Sequence, residues 1–203
     1  MASIKLQGDT SGELTISAPA VAGTNTLTLP ASTGTLLTTT GDGSQLTNLP
    51  GPGLPDYMHV RDEKAVGVGA GASVSGNTTR TLNTVVTNTI TGASLASNQI
   101  TLPAGTYRFS GHAPSYRSNG SASYLYNITD SSTALKGSAV YSWSTGADNG
   151  LSHIIGRVVI AVTTVFEFRQ YISAGNTQGL GVQSGSSANG GEIYATLEIF
   201  KEA

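Results

Sequence analysis

The sequence has no cysteine among its 203 residues. Disulfides, thiolate metal sites and cysteine nucleophiles are therefore excluded together. This absence is typical of a protein that folds in a reducing cytoplasm, whatever its later location. The N-terminal stretch MASIKLQGDTSGEL also lacks the basic and apolar regions of a secretory signal, and no run approaches about 18 consecutive apolar residues. We therefore expect no membrane insertion.

Charge is scarce as well. Only 11% of the residues are charged, against about 25% in a typical soluble protein. Ser, Thr and Gly are abundant instead, with 24, 27 and 26 copies, so we expect a surface made mostly of uncharged hydroxyl and backbone groups. The formal net charge is -2 and Lys and Arg form no cluster. Nothing in this pattern attracts a phosphate backbone, and nucleic acid is not an expected partner.

Alternation of apolar and polar residues is the main pattern that is present. IYATLEI alternates from Ile193 and VFEFRQYI from Val165, which predicts strands with one buried face. In YLYNI the same reading places Tyr124, Tyr126 and Ile128 together on one face. IIGRVVIAV is continuously apolar and rich in β-branched residues, which predicts a strand that is buried on both faces.

Turn residues separate these segments at short intervals, as in PAG, SNGS, TDSS and DNG. A spacing of roughly 8 to 12 residues between turns is typical of an antiparallel sandwich or barrel. No segment has a helical stripe. The pattern therefore predicts an all-β protein.

Composition changes near residue 56. Before it lie the strand-like pieces ELTIS, NTLTLP and TLLTTT, then a Gly/Pro-rich stretch, while every aromatic residue follows from Tyr57 onward. We predict a β-rich arm over residues 1–40, a linker over 41–56 and one folded domain over 57–203. Without aromatic residues the arm cannot form a sizeable core alone, so it must pack against other chains. Its predicted buried contacts are Leu14, Ile16, Leu27, Leu29, Leu36 and Leu37.

Motifs for catalysis or metal binding are missing. His59, His112 and His153 show no metal-ligand spacing, although a symmetric oligomer could bring one of them from each subunit to its axis. There is no G-x-S-x-G motif, and the Gly-rich stretch from Gly67 has no Lys-Ser/Thr after it. Paired carboxylates for glycoside hydrolysis would have to come from only twelve acidic residues. We expect no cofactor, no metal and no enzymatic activity.

Two loop-flanked segments are candidates for recognition. HAPSYRSNGSASY contains Tyr116, Arg117 and Asn119, and YSWSTGADNG contains Trp143, the only tryptophan. Tyr, Arg and Trp are frequent hot-spot residues, and an exposed tryptophan is a common stacking surface for sugar rings. Sandwich packing for Tyr116, and core or subunit packing for Trp143, are the alternatives.

Several ordered segments carry a family resemblance. TRTLNTVV, ASLASNQITLPAGTYRFSGHAPSY, LYNITDSSTAL, GRVVI and EIYATLEIFK together resemble the C-terminal knob domain of tailed-bacteriophage fibre and virion-surface proteins, over residues 57–203. The segment from GELTIS to LTNLPG is similar to the low-complexity β segments of phage fibre chains. The resemblance implies a jelly-roll β-sandwich of the C1q or tumour-necrosis-factor type, usually a homotrimer. It also implies distal loops that face a host or solvent and an N-terminal segment that docks on the virion.

The expected function is therefore that of a phage virion structural protein, assembled in the host cytoplasm and displayed on the virion surface. Its trimeric knob would adhere to a host-surface glycan, and its arm would dock on a capsid, baseplate or tail protein. Two alternatives remain open at this stage. One is a capsid decoration or head-fibre protein that stabilises the shell, and the other is a small glycan-degrading enzyme.

Overall fold

A computed structural model describes residues 3–7, 9–17, 55–146 and 148–202. The chain divides into two units, Met1–Pro50 and Gly51–Ala203. All regular structure in the described residues is β-strand, apart from a short 3-10 turn at Ser187–Asn189, so the all-β prediction is confirmed. None of the described segments forms a helix with the length and apolar character needed to cross a membrane.

The N-terminal unit contains a two-stranded antiparallel hairpin, β1 (Ser3–Gln7) and β2 (Glu13–Ser17). The strand predicted at ELTIS is therefore confirmed, whereas β1 was not anticipated. Gly12 has a φ of 81° just before β2, a backbone conformation that glycine adopts without strain.

The register of this hairpin pairs apolar positions. Ile4 lies opposite Ile16 and Leu6 opposite Leu14, and the side chains of Ile4 and Leu6 are exposed. Two strands alone are marginally stable in water. The contacts assigned to Leu14 and Ile16 stay predictions. Those assigned to Leu27, Leu29, Leu36 and Leu37 lie outside the described residues.

The C-terminal unit is a sandwich of two antiparallel sheets. One sheet has five strands in the order β11-β8-β13-β3-β5. The other has six strands: five lie in the order β10-β9-β12-β7-β6, and the sixth, β4, pairs with β12. The strands are β3 (Asp56–Lys64), β4 (Gly76–Thr79), β5 (Thr84–Asn88), β6 (Ser94–Ala96), β7 (Gln99–Leu102), β8 (Gly105–Tyr116), β9 (Asn119–Asn127), β10 (Ser132–Ser142), β11 (Asn149–Ile160), β12 (Thr164–Ile172) and β13 (Glu192–Lys201).

An apolar core fills the space between the sheets near the end where β3 begins. Phe109 of β8 and Phe166 of β12 are fully buried and meet edge to face, with 5.9 Å between ring centroids. Such a pair contributes about 0.5–1.5 kcal/mol beyond the area that it buries. Tyr107 is buried beside them, and its hydroxyl donates a 2.8 Å hydrogen bond to the Pro103 carbonyl. The alternation in VFEFRQYI therefore marks a strand with one buried face, as predicted.

A bulge changes the pattern in the last strand. Leu197 and Ile199 are buried as the alternation in IYATLEI predicts, but Ile193 is exposed and Tyr194 is buried instead. The pairing with β3 shifts between Ile193 and Thr196, and an extra residue in one strand reverses the faces beyond it.

Two burial predictions were wrong. In YLYNI the buried residues are Leu125 and Asn127, while Tyr124 and Tyr126 lie on the outer face of the six-stranded sheet. IIGRVVIAV is buried on one face only, because one face of β11 packs on the core whereas the other belongs to the outer face of its sheet, where Ile155 is 70% exposed. Size and apolar character did not indicate which face of these strands is inside.

Serine hydroxyls occupy much of the interior nearer the opposite end. The expectation of a hydroxyl-rich surface therefore describes only part of the molecule, since buried serines pair across strands. Gly137 allows β10 to approach β11 closely there, because a Cβ at this position would lie 2.6 Å from the His153 carbonyl oxygen. The buried hydroxyl pairs are Ser115–Ser121 at 2.8 Å, Ser118–Ser142 at 3.0 Å and Ser123–Ser152 at 2.8 Å.

A fully buried arginine completes this polar half of the core. The Arg80 guanidinium donates hydrogen bonds to Gln170 Oε1 at 3.1 Å, to the Pro114 carbonyl at 3.2 Å and to the Leu180 carbonyl at 2.8 Å. Burial lowers the pKa of Arg80 to about 10, against the opposing effect of the Asp62 carboxylate. Arg80 is therefore still a cation at neutral pH, and it joins both sheets to the loop that contains Leu180.

We expect Arg80→Met to lower the free energy of unfolding by about 3 kcal/mol, because the substitution leaves buried carbonyl groups without donors. Urea unfolding of the purified protein measures this change. Arg157→Met is the matched control, since Arg157 is exposed and pairs with Glu202 at 2.6 Å. Exposed ion pairs contribute less than about 1 kcal/mol. Equal losses for the two variants would contradict the structural role of Arg80.

Candidate functional site

The four residues predicted for recognition lie together at one end of the sandwich. We call this end the distal tip: the β8–β9 turn at residues 117–118 with the adjoining Tyr116 and Asn119, and the β10–β11 connection at residues 143–146 and 148. The Arg117 amide donates to the Asp148 carbonyl at 3.2 Å, and the Arg117 Nε donates to the Gly146 carbonyl. The Ser144 amide donates to Asn119 Oδ1 at 3.1 Å. Two segments about 25 residues apart thus form one surface.

The β8–β9 turn is tight because of its backbone. Arg117 and Asn119 both have left-handed conformations, with φ values of 50° and 53°. Asn tolerates this region well, whereas Arg does so at some cost, so surrounding contacts must hold the turn. Ser118 between them is buried, and its amide donates to Ser142 Oγ at 3.1 Å. The turn places the Arg117 guanidinium 5.0 Å from the centre of the Tyr116 ring.

Two exposed aromatic residues stand beside this turn. Trp143 is 61% exposed and Tyr141 is 62% exposed. Their rings meet edge to face, with 5.9 Å between centroids. Core packing of Trp143 is therefore wrong for this chain. Tyr141 was missed in the sequence, although Tyr and Trp two residues apart in YSW lie on the same face of a strand.

The tip lies far from the end of the sandwich at which β3 starts. Asp56, the first residue of β3, pairs with Lys201, which in turn pairs with Tyr107 of β8. Tyr116 follows Tyr107 by nine residues of the same strand, which corresponds to about 30 Å. Ligands reaching the tip would therefore be about 30 Å from the point where β3 starts.

A buried carboxylate holds two loops in place at the end of the sandwich where β3 ends and β13 begins. Glu192 accepts hydrogen bonds from the amides of Ser184 at 3.0 Å, Gly185 at 2.8 Å and Gly67 at 3.2 Å. The bonds from Ser184 and the other two amides lower the pKa of Glu192 to about 2, against a smaller effect of burial. The Tyr116 amide donates to the Gly179 carbonyl at 3.1 Å and so joins the tip to one of these loops.

All three histidines lie on the outer face of the five-stranded sheet, which we call the histidine face. His153 pairs with His112, and their ring centroids are 5.8 Å apart. His112 pairs with Thr196, whose Oγ1 is 2.8 Å from His59 Nε2. Within the described ranges, no group of three or more His, Asp or Glu side chains could hold a metal ion.

The histidine face also exposes apolar side chains. Ile155 and Val159 are 70% and 68% exposed, and Leu151 and Ile193 are exposed to a smaller degree. Large apolar residues grouped on one sheet face are unusual for the surface of a monomer. This face is therefore a candidate for contact with another protein surface.

A concave surface lies on the outer face of the six-stranded sheet. This cleft of about 510 Å³ is lined by tyrosines and by cationic side chains of β9, β10 and β12. Sequence reasoning missed it because it assigned Tyr124 and Tyr126 to the buried face. The signal was the alternate set of residues along β9, Ser121, Ser123, Leu125 and Asn127, which is the buried one.

No protein-family model matches the chain, and no curated protein sequence does. Solved structures resemble its fold at low sequence identity. Eiger TNF from S. frugiperda is 13% identical with a TM-score of 0.51, covering 74% of this chain and 94% of that chain. The globular domain of zebrafish complement 1qA is 12% identical (TM-score 0.47, 73% and 98% covered), and murine APRIL is 11% identical (TM-score 0.47, 72% and 98% covered).

The likeness to Eiger TNF confirms the predicted fold class, an all-β jelly-roll sandwich of the tumour-necrosis-factor type. At such low identity it shows the fold alone. The order of the strands in two packed antiparallel sheets agrees with that assignment.

Stability should decrease as the pH falls below about 6.5. Burial is the main effect that lowers the pKa of His59 and of His112. The nearby Arg61 acts in the same direction on His59, as do His153 and Arg80 on His112, while Glu198 opposes both shifts. The unfolded chain therefore binds protons at a higher pH than the folded chain does, and protonation favours unfolding.

Thermal unfolding between pH 7.5 and 5.5 measures this dependence. We expect the double variant His59→Asn, His112→Asn to lose part of the decrease, because Asn does not titrate. An identical decrease in the wild-type protein and in this variant would assign the pH dependence to other groups.

Proposed function

We propose that this protein is a structural protein of the tailed-phage virion surface, in which trimers of the C-terminal unit adhere to a host-surface glycan. The observation that carries the binding role is the meeting of Tyr116, Arg117, Asn119 and Trp143 at one exposed tip. The sequence resemblance over residues 57–203 supports the virion role. The N-terminal residues 1–40 would dock on a capsid, baseplate or tail protein.

The tip residues divide into two roles. Arg117 and Asn119 use their side chains to fix the β10–β11 connection, so they act mainly as supports. Trp143 and Tyr141 are exposed and edge to face, which makes them the pair that stacks on the C–H faces of a sugar ring. A neutral glycan suits this surface, because hydrogen bonding and stacking need no strong electrostatic attraction.

Adhesion through such a small surface depends on several copies. A single shallow site binds weakly, but three tips per trimer raise the effective affinity without any new contact. Subunits that associate through the histidine face, with strands along a common axis, would direct their tips the same way. The exposed Leu151, Ile155 and Val159 on that face would lose their contact with water in the trimer.

The trimer is testable by light scattering of the full chain. We expect a mass of about three times the 20.6 kDa of the chain, and a monomer for Ile155→Asp, because burying a carboxylate between subunits is costly. Val74→Asp is the matched control, since Val74 is 62% exposed and precedes β4 of the other sheet. A wild-type protein with the mass of one chain would refute the trimer.

The tip is testable by adsorption and by glycan titration. We expect Trp143→Ala to weaken binding of host polysaccharide fragments about 30-fold per site, which corresponds to about 2 kcal/mol for a stacked aromatic hot spot. Trp143→Phe should retain part of the affinity, and neither variant should change the trimer mass. Normal adsorption by particles that carry both Trp143→Ala and Tyr141→Ala would contradict adhesion through the tip.

Experiments on particles and on the purified protein also distinguish the two alternative functions. Particles that lack this protein, adsorb normally and break more readily on heating would indicate capsid decoration instead. Purified protein that shortens the polysaccharide would indicate a glycan-degrading enzyme.

A further inference from the structure

The cleft on the outer face of the six-stranded sheet has its own chemistry. Three tyrosines line it, Tyr124 and Tyr126 from β9 and Tyr171 from the adjacent β12. Arg169 pairs with Tyr124 across these strands, and Tyr171 pairs with Ala122. The cleft thus presents aromatic rings on two neighbouring strands of one rigid sheet, about 510 Å³ in volume.

Irregular pairing of β10 opens the cleft. The register between β10 and β9 shifts between Thr133 and Leu135, and again between Lys136 and Ala139. Gly137 lies at the second shift, where a Cβ would come within 2.5 Å of Ser123 Oγ. Bulges bend a strand away from regular pairing, and Ala122 adds only a methyl group to the cleft lining.

One cationic group in the cleft, Arg169, is held in place by its neighbours. The Arg169 guanidinium carbon lies 3.7 Å from the centre of the Tyr126 ring, and its Nε donates to Glu167 Oε2 at 2.7 Å. Glu167 also accepts from Gln99 at 3.1 Å and from Thr79 at 3.0 Å. Burial alone would lower the pKa of Arg169, but its hydrogen bond to Glu167, the charge of that carboxylate and the neighbouring Tyr124 raise it. Arg169 is therefore fixed in both charge and position.

The lining of the cleft is positive and aromatic. Lys136 of β10 pairs with Tyr124 and is exposed beside Arg169. Among the described residues that line the cleft are these two cations and no Asp or Glu, since Glu167 lies behind Arg169 and is only 13% exposed. Asn77 and Thr133 supply further hydrogen-bonding groups at the rim.

We propose that this cleft is a second saccharide site, specific for a sugar unit that bears a carboxylate. Tyr124 and Tyr171 stack on the C–H faces of the ring, Lys136 and Arg169 bind the carboxylate, and Asn77 binds hydroxyl groups, while Tyr126 supports Arg169 from below. A carboxylate matches the two cations, and a pyranose matches the aromatic walls, so neither a simple anion nor a neutral sugar satisfies both.

This site is separate from the distal tip. Tyr124 pairs with Lys136, whereas Tyr141 pairs with Gly120, four residues away along β9. That separation corresponds to about 13 Å, more than the width of one sugar ring. The cleft therefore does not depend on Trp143, on the trimer or on adhesion through the tip.

Ligand-observed NMR titration of the purified full chain tests the proposal with glucuronate and N-acetylneuraminate as acidic sugars. Glucose is the neutral counterpart of glucuronate, and acetate is a carboxylate without a ring. We expect millimolar binding of at least one acidic sugar, with at least tenfold weaker binding of glucose and acetate. Added salt should weaken the binding, because the carboxylate contact is partly exposed.

Variants locate the bound sugar. Lys136→Met and Tyr171→Ala should each weaken acidic-sugar binding at least fivefold, while Arg157→Met, which lies outside the cleft and the distal tip, should not change it. Unfolding curves like that of the wild type show that each variant is folded. Three results would overturn the proposal: no binding of either acidic sugar, equal affinity for acetate, or loss of binding in Trp143→Ala alone.

Discussion

The buried cation of Arg80 is the interaction on which the distal half of the sandwich depends. It donates to Gln170 of β12, to the Pro114 carbonyl of β8 and to the Leu180 carbonyl of a loop. Pro114 is two residues before Tyr116, so the strand that presents the tip is held by this side chain. Few apolar residues reach this half of the interior, where paired serine hydroxyls fill the space instead. These paired polar groups make the region rigid, while Arg80 Nε has no hydrogen-bond partner among the described residues.

The two outer faces of the sandwich differ in chemistry because different strands supply them. The histidine face combines three histidines with the exposed apolar residues of β11, a surface suited to another protein subunit. The opposite face holds tyrosines and two cations in a cleft, a surface suited to a polar ligand. Only 11% of the residues are charged, so each charged side chain strongly affects the chemistry of the surface around it. Arg169, Glu167 and Lys136 define one site, and Glu192 fixes the loops near the tip.

Alternation was a reliable guide where large apolar residues face the core and misleading where serines do. Phe166, Leu197 and Ile199 followed the predicted pattern. In β9, the strand that contains most of YLYNI, the buried face carries Ser121, Ser123 and Leu125, so the tyrosines next to them looked like the core. A serine is small enough to sit between closely packed strands when its hydroxyl has a partner, and that partner comes from a distant strand. The cleft was missed for this reason.

The sequence by itself determined the strand-rich class, the turn positions, the absence of thiol chemistry and the residue types suited to recognition. Local pattern is enough for these, because alternation and turn chemistry act over a few residues. Only the tertiary structure decided which face of β9 and β11 is buried and that Tyr141 joins Trp143 beside Arg117. It also decided that three histidines separated by 94 residues of chain, from 59 to 153, share one face. Such neighbours are set by strand order and register between distant segments, which local pattern does not encode.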